Sequence, residues 1–152
     1  MKIVITADHA GFPLKAILVT DLTTAGHEVT DLGTNSADSP VDYPDIAILA
    51  CETVRSGNAD RAIILCGSGV GVTVAANKFP GIRAGLCHDH YSAHQGVEHD
   101  DMNVLCMGAR ILGQEPAREI AQAFASAQYT AEKRHARRLD KVKAIEAKYT
   151  KG

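Results

Sequence analysis

The chain has 152 residues, of which 45% are hydrophobic and 22% are charged, and its formal net charge is −2. This length allows one domain with a core on both faces of a sheet but not two such domains, so we expect a single domain over residues 1–152. We see neither an apolar run of membrane-spanning length nor a cationic and apolar leader, so we expect no membrane contact and a cytoplasmic location.

Short apolar and β-branched runs alternate with segments of helical periodicity. We predict five strands, at residues 2–7, 27–33, 61–67, 82–87 and 103–108. Two of the intervening segments, 13–26 and 43–57, have a proline near the start and a glycine at the end, as helices commonly do. The alternation indicates an α/β fold: a three-layer α/β/α, Rossmann-like domain with a five-stranded parallel sheet. Ligands are then expected at the carboxyl ends of the strands.

Polar segments follow the first two predicted strands. The motif DHAG, residues 8–11, puts His9 at the end of the first strand. Residues 33–45, GTNSADSPVDYPD, form a long loop rich in turn-forming residues. Such loops commonly contact ligands, so this loop is a candidate; the alternative is a plain surface connection.

A glycine-rich turn follows the third predicted strand, in the segment ILCGSGVGVTVAANK at residues 63–77. Gly67, Gly69 and Gly71 allow main-chain N–H groups to face one point where the next helix begins, which is typical of an anion-binding turn. Val72 stands where a dinucleotide-binding turn needs glycine and a tyrosine-phosphatase loop needs arginine, and the Lys-Ser/Thr pair of a nucleotide P-loop is missing. These three familiar functions are therefore disfavoured.

Cys66 directly precedes this turn. The N–H groups and the start of the helix favour a thiolate there, which can accept a proton. The alternative is a small buried core residue, and this is our interpretation of Cys87 and Cys106, which end strands without a glycine turn. The four cysteines, with Cys51, lie far apart and form no C-x-x-C pair, so we expect reduced thiols.

Histidines cluster around the helix after the fourth strand. His90 and His94 are one helical turn apart. Three nearby residues could add metal ligands: His88, Asp89 and Asp100. No H-E-x-x-H motif is present, and such sets arise by chance in a histidine-rich segment, so we predict no metal site. His99, just before the fifth strand, is a candidate proton-transfer residue or a helix-end residue.

The end of the chain carries the positive charge. Residues 132–151 contain eight Lys or Arg and three Asp or Glu, a local charge of +5 against −7 upstream. Apolar residues recur there every three or four positions: Leu139, Val142, Ile145 and Tyr149. We therefore predict an amphipathic helix over residues 131–150, whose apolar stripe could cover its own domain or a dimer partner. The charge could bind nucleic acid, but stacking aromatics are scarce and we predict no nucleic-acid binding.

Three arginines are candidates for phosphate contact. Arg134 and Arg138 are four residues apart and project from one side of the terminal helix, while Arg110 follows the fifth strand. Paired guanidinium groups suit a phosphate monoester. The alternative is a solvated helix face.

Together these motifs resemble the ribose-5-phosphate isomerase B family, which also includes allose-6-phosphate and galactose-6-phosphate isomerases. The resemblance extends nearly from end to end and keeps the family's order and spacing. It rests on DHAG at 8–11, DYPD at 42–45, CGSGVGVTVAANKFPGIRA at 66–84, EHDDMNVLCMGAR at 98–110 and RHARR at 134–138. The central segment is the most specific of the five.

The resemblance implies an aldose–ketose isomerase that interconverts D-ribose 5-phosphate and D-ribulose 5-phosphate without metal or organic cofactor. It also implies a homodimer, in some members paired into a tetramer, with sites at the subunit interface. Cys66 would be the base that moves a proton between C2 and C1 through a cis-enediolate. His99 would open the sugar ring, and Asp8 would hold a sugar oxygen.

The remaining family positions carry over as binding residues. The Ser68 hydroxyl and the main-chain amides of the turn would hold the enediolate oxygens, as an oxyanion hole does. Those amides belong to Gly67, Gly69, Val70 and Gly71. The phosphate positions are His9, Arg110, Arg134 and Arg138, and Asp42 and Tyr43 lie near the sugar.

One position selects a variant of the family pattern, and two positions depart from it. Some members use a glutamate one turn into the helix as the base; Val72 occupies that position, which leaves Cys66 as the proton acceptor. Ser68 replaces a threonine, and Asp100 stands where asparagine is usual. Asp100 adds negative charge near the sugar and could change which hydroxyls are accepted. Isomerisation of a tetrose phosphate, allose 6-phosphate or galactose 6-phosphate, and a non-catalytic phosphate-binding module, therefore stay open as alternatives.

Overall fold

The structure is a computed structural model that describes residues 1–150; the last two residues of the predicted 1–152 domain lie outside the described residues. Its elements are β1 Lys2–Ala7, α1 Phe12–Thr24, β2 Glu28–Gly33, α2 Tyr43–Arg55, β3 Arg61–Cys66, α3 Val70–Ala76, β4 Ala84–Leu86, α4 His90–Asp100, β5 Val104–Gly108, α5 Gln114–Ser126 and α6 Lys133–Tyr149. The strands are parallel, in the order β2-β1-β3-β5-β4. The predicted three-layer α/β fold with an extra C-terminal helix is confirmed.

Each face of the sheet has its own core, because successive side chains of a strand point to opposite faces. On one face, Leu65 of β3 packs in a cluster with Phe124 of α5. On the other face, Ile64 packs in a cluster with Val72 of α3 and with side chains of α2. Cys66 comes two residues after Ile64 and belongs to this second cluster. The strand register therefore turns the Cys66 side chain toward the helix that follows it.

The predicted strands are correct in number and order, and four of them both begin and end within one residue of the prediction. β4 is shorter, at Ala84–Leu86 instead of 82–87. The N–H of Ile82 donates within a turn, and the N–H of Arg83 donates to the side chain of Asn103. Since these donors are used outside the ladder, the strand begins later than its apolar sequence predicts.

The two helices predicted to close at glycines end two residues before them, α1 at Thr24 and α2 at Arg55. Gly26 and Gly57 have φ angles of +91° and +76°. A left-handed glycine just past the last turn is a common way to end a helix, so both glycines do mark the ends.

α6 spans Lys133–Tyr149, slightly less than the predicted 131–150, and packs outside the three layers against α4. Of the predicted apolar stripe, Leu139 is buried. The other members are more than half exposed: Val142, Ile145 and Tyr149. The stripe therefore covers its own domain only in part. Within residues 1–150, the helices are all too short or too polar to cross a membrane.

Candidate active site

Cys66 is the last residue of β3 and lies at the carboxyl edge of the sheet. Its side chain is 6% exposed, and its Sγ accepts a hydrogen bond of 3.1 Å from the main-chain N–H of Gly69. An N–H donor stabilises negative charge on sulfur. The glycine turn thus surrounds a sulfur atom that is suited to accept a proton.

The turn depends on glycine at two places. Gly69 has a φ of +82°, and a Cβ there would lie 2.9 Å from the carbonyl carbon of Met107 and 2.5 Å from Leu86 Cδ1. Only glycine combines this left-handed backbone with so close an approach. A Cβ at Gly108, at the end of β5, would lie 2.6 Å from the carbonyl oxygen of Ser68. The turns after β3 and β5 therefore pack as one unit.

Asp8 and His9 lie beside this unit. The N–H of Asp8 donates to the carbonyl of Leu65, and its carboxylate accepts the N–H of Gly11 at 2.9 Å. The Nδ1 atom of His9 is buried and has no hydrogen-bond partner in residues 1–150. The end of β1 therefore brings two of the predicted substrate residues next to the strand that ends at Cys66, with one imidazole nitrogen available to a ligand.

Tyr43 and Arg110 approach the turn from two other elements. Tyr43 begins α2, and a Cβ at Gly71 would lie 2.9 Å from its ring. Arg110 follows β5, and a Cβ at Gly67 would lie 3.5 Å from its Nη1. Asp42, just before α2, is exposed. Residues from β1, α2 and β5 thus surround the glycine turn.

Two of the amides predicted to hold substrate oxygens are used inside the turn itself. The N–H of Gly69 donates to Cys66, and the N–H of Val70 donates to the Ser68 hydroxyl at 3.3 Å. The expectation that every amide of the turn faces a ligand therefore does not hold for Gly69 and Val70. Their N–H groups donate to the nearby side chains of Cys66 and Ser68, as main-chain amides often do next to short polar side chains.

The other three cysteines are core residues. All four thiols are free, and Cys51, Cys87 and Cys106 are buried. Burial raises the pKa of Cys51 and Cys87 to about 11 and the pKa of Cys106 to about 12. Such thiols stay protonated at neutral pH. The interpretation of Cys87 and Cys106 as structural residues is confirmed.

His99 and Asp100 do not lie at the edge of the sheet that carries Cys66. α4 begins at His90, after the carboxyl end of β4, and ends at Asp100, before the amino end of β5. Its 11 residues rise about 16 Å. The expectation that ligand-binding residues gather at the carboxyl ends of the strands is wrong for these two residues, because α4 runs antiparallel to the strands and its last turn lies at the amino edge.

Arg134 and Arg138 also lie at the amino edge, because α6 packs against the last turn of α4. The ring of His135 stacks on the ring of His99, with 3.9 Å between centroids and 24° between planes. Arg138 and Asp100 line a cavity of about 620 Å³ between α6, α4 and the segment before β4. The two arginines are exposed.

The predicted site thus falls into two groups on opposite edges of the sheet. We use the name near half-site for Asp8, His9, Asp42, Tyr43, Cys66, the turn 67–71 and Arg110. We use the name far half-site for His99, Asp100, Arg134 and Arg138. A single chain does not bring the two groups together.

The histidines considered as metal ligands do not converge. Within residues 1–150, no group of three or more His, Cys, Asp or Glu side chains is arranged to hold a metal ion. The rings of His90 and His94 stack at 6.4 Å, and His94 Nδ1 lies 3.4 Å from the carboxylate of Glu98. His88 Nε2 instead accepts the N–H of Gly108 at 2.9 Å. The three imidazole rings therefore do not face one common point.

Three supporting residues were not recognised in the sequence. His88 holds the turn after β5, and His135 lies against His99. Lys15 of α1 is fully buried, and its Nζ lies 2.7 Å from the carbonyl of Thr34 and 2.5 Å from the carboxylate of Asp31. It therefore fixes the start of the polar loop after β2. A lysine on an otherwise apolar helix face, in PLKAILV, was the available signal.

The fold and the near half-site define a class of protein: an α/β domain with a cysteine sulfur inside a glycine-rich turn at the carboxyl edge of its sheet. The family model described as Ribose/Galactose Isomerase matches residues 3–142, and the chain belongs to this family. It is therefore an aldose–ketose isomerase, as the resemblance of its motifs predicts.

Individual relatives match over almost the whole chain. Ribose-5-phosphate isomerase B of Escherichia coli is 44% identical over 145 residues, which cover 95% of this chain and 96% of the relative. D-erythrulose-4-phosphate isomerase 2 of Mycolicibacterium smegmatis is 39% identical over 148 residues, 96% of this chain and 97% of the relative. The structure of Clostridium thermocellum ribose-5-phosphate isomerase B superposes with a TM-score of 0.94 at 43% identity, covering 99% of this chain and 100% of that chain.

Proposed function

We propose that this isomerase interconverts D-ribose 5-phosphate and D-ribulose 5-phosphate, with Cys66 as the base and without a cofactor. The observation that carries the proposal is the hydrogen bond from the Gly69 N–H to the Cys66 sulfur. The two relatives named ribose-5-phosphate isomerase B support a pentose phosphate as the substrate. A reduced thiol base fits the cytoplasm, where thiols stay reduced.

The chemistry is a proton transfer between adjacent carbons. The Cys66 thiolate takes the proton from C2 of the open-chain aldose, and the electron pair of the broken C–H bond forms the C1=C2 bond of a cis-enediolate. The thiol then returns a proton to C1 while the proton of the O2 hydroxyl passes to O1, so that O1 becomes a hydroxyl and O2 becomes the carbonyl oxygen of the ketose. The Ser68 hydroxyl and the amides of Gly67 and Gly71 would stabilise the charge on the oxygens.

The substrate would be held at both ends. Asp8 would hold a sugar oxygen, and Asp42 and Tyr43 would contact the sugar. His99 would open the furanose ring by proton transfer. The phosphate would be bound by His9, Arg110, Arg134 and Arg138.

This assignment requires a second copy of the chain. The near and far half-sites lie on opposite edges of one sheet, separated by about the length of α4, 11 residues at 1.5 Å each. A homodimer with twofold symmetry would bring the near half-site of one chain to the far half-site of its partner and would form two such sites. Two dimers could pair into a tetramer without altering them.

The base is tested by Cys66→Ala, with Cys87→Ala as the matched control because Cys87 also follows a strand but has no glycine turn. We expect Cys66→Ala to lose at least about 1,000-fold in kcat and in solvent deuterium exchange at C1 of ribulose 5-phosphate, while phosphosugar binding persists. Cys87→Ala should keep both rates. Wild-type exchange in purified Cys66→Ala protein would contradict the proposal.

The shared site is tested by mixing two inactive variants, Cys66→Ala and His99→Ala. Random exchange of subunits makes half of the dimers hybrid, and each hybrid has one site built from two intact halves. About one quarter of wild-type activity should therefore return. If subunits exchange, as mass spectrometry can follow, and activity stays at the level of the separate variants, the two-chain site is wrong.

A tetrose phosphate is the second candidate substrate. The relative named D-erythrulose-4-phosphate isomerase 2 favours it, and Asp100 adds a negative charge to the far half-site that would bear on the choice of sugar. Initial rates with four-, five- and six-carbon aldose phosphates decide between the candidates. A kcat/KM that is highest for the four-carbon substrate would replace the pentose proposal without changing the role of Cys66.

A further inference from the structure

His135 is a buried imidazole that the proposed chemistry does not use. Its side chain is 2% exposed, and its Nε2 atom is buried without a hydrogen-bond partner in residues 1–150. Its ring stacks on that of His99 at 3.9 Å between centroids, while the His99 side chain is 26% exposed. One ring of the pair is therefore in the core and the other at the surface, where a substrate would reach it.

The charged groups around the pair come from α4 and α6. On α4, a carboxylate oxygen of Glu98 lies 3.9 Å from His99 Nε2. Directly before α6, a carboxylate oxygen of Glu132 lies 3.7 Å from His135 Nε2. Within α6, the positive charges that act on His135 are those of Arg134 and Arg138. Burial lowers the pKa of His135, and the neighbouring His99 and Arg134 lower it further, so its ring is neutral at neutral pH.

We propose that His135 is a positioning residue, whose buried ring is the platform that fixes the plane of the His99 imidazole relative to the phosphate-binding arginines of α6. This inference rests on the proposed role of His99 in ring opening. A flat neutral ring suits the task because two imidazolium ions at this spacing would repel one another.

The position of His135 in α6 explains the linkage to the arginines. It comes directly after Arg134 and three residues before Arg138, so all three side chains project from one turn of a rigid helix. The His135 ring is turned inward while the arginines stay exposed. Contact with His99 therefore fixes the distance between the group that opens the sugar ring and the groups that bind the phosphate.

The kinetic test separates ring opening from proton transfer at carbon. Ribulose 5-phosphate is open-chain, because its C5 oxygen is esterified, so deuterium exchange at its C1 does not need ring opening. We expect His135→Ala to lower the conversion of ribose 5-phosphate about 10-fold while this exchange changes less than about 2-fold. His135→Phe keeps a flat ring and should restore conversion to within about 3-fold of wild type.

Two controls exclude a merely structural effect. Leu139→Ala removes a buried side chain one helical turn further along α6 and should destabilise the packing of the helix without changing the ratio of conversion to exchange. Arg137→Ala, an exposed change on the same turn, should leave both rates unaltered. If Leu139→Ala lowers the ratio as much as His135→Ala does, His135 only docks the helix and the inference is overturned.

A ring-current shift gives a readout without catalysis. In NMR spectra of the wild-type protein, the His99 ring protons should show the shift that a stacked aromatic neighbour causes; His135→Ala should remove this shift and His135→Phe should retain it. His99 ring shifts that stay unchanged in His135→Ala would overturn the inference. The variant His99→Ala distinguishes failure of this inference from failure of the proposed function. If His99→Ala leaves the ratio of conversion to exchange unchanged, the proposed role of His99 is wrong. If His99→Ala lowers this ratio and His135→Ala does not, only the role of His135 is wrong.

Discussion

The near and far half-sites are held in place by different kinds of structure. The near half-site is built on the ends of buried parallel strands, and the turns after β3 and β5 approach so closely that a Cβ at Gly69 or Gly108 would touch main-chain atoms. The far half-site lies on the last turn of α4 and the first turns of α6, where Arg134 and Arg138 are exposed. Main-chain packing fixes one region, and side-chain packing fixes the other.

This difference matches the chemistry proposed for each region. Proton transfer at carbon requires the base and the oxyanion donors to be fixed closely, because small misplacements are costly in rate. Phosphate binding by exposed guanidinium groups tolerates more movement, because charge attraction falls off slowly with distance. Substitutions of Cys66 and its turn should therefore affect kcat most, and substitutions of the exposed arginines Arg134 and Arg138 should affect KM.

After loss of the Cys66 thiol itself, the largest effect should come from adding a methyl group to the turn around it. Gly69 and Gly81 have the same φ of +82°, but nothing lies within 4 Å of a Cβ at Gly81. Gly81→Ala should cost about 1 kcal/mol of stability and leave kcat near wild type. Gly69→Ala adds a clash with the main chain of β5 and should lower kcat at least about 100-fold. Equal kcat values in the two variants would contradict a turn that depends on close packing.

An intermediate effect is expected at the far half-site. Arg138→Ala should raise KM about 10-fold or more with a smaller change in kcat, because it removes a charged donor to the phosphate. Arg137→Ala, on the same helix, should change KM less than about 2-fold. Steady-state kinetics with ribose 5-phosphate measure both. A fall in kcat alone for Arg138→Ala would contradict the anchoring role of Arg138.

The smallest effect concerns α4, the helix that begins near one half-site and ends at the other. The Asp89 carboxylate accepts the N–H of Ser92 at 2.7 Å, and this hydrogen bond holds the pKa of Asp89 below its usual value of 3.8. Asp89→Ala should therefore lower Tm by a few degrees at neutral pH.

The pH dependence of that effect has a definite sign. Since the folded-state pKa of Asp89 is the lower one, its contribution is full above the unfolded value of 3.8 and is lost as pH falls through the folded pKa. The Tm difference between wild type and Asp89→Ala should shrink in acid. Asp89→Asn keeps the acceptor without the charge and should lie close to wild type at neutral pH. A difference that grows in acid would contradict this account.

The sequence was sufficient for the parts of the molecule that depend on local pattern. Strand number, helix ends at Gly26 and Gly57, and the turn around Cys66 all follow from periodicity and glycine placement. The late start of β4 does not, because it depends on a side-chain contact from Asn103, distant in sequence. His135 was also out of reach, since it stands in a charged segment and only tertiary packing makes it a core residue.

The division of the site into two half-sites follows from the order of the elements along the chain. His99 comes shortly before β5, and Cys66 ends the neighbouring strand β3. Because the two strands are parallel, a residue before one and a residue at the end of the other lie at opposite edges of the sheet. The family resemblance supplied the candidate residues, but placing them on the two edges of the sheet requires the direction in which α4 runs. Exposure of Arg134 and Arg138 in a single chain is the structural sign of the same split.

The arrangement of two half-sites on opposite ends of one sheet also has a genetic meaning. Consider the proposed dimer of one wild-type chain and one variant chain. A variant that lacks only Cys66 inactivates one of the two sites, whereas a variant that lacks both Cys66 and His99 inactivates both. An allele with the double defect, expressed beside a sound copy, would therefore act as a dominant inhibitor, and either single defect would be partly complemented by the other.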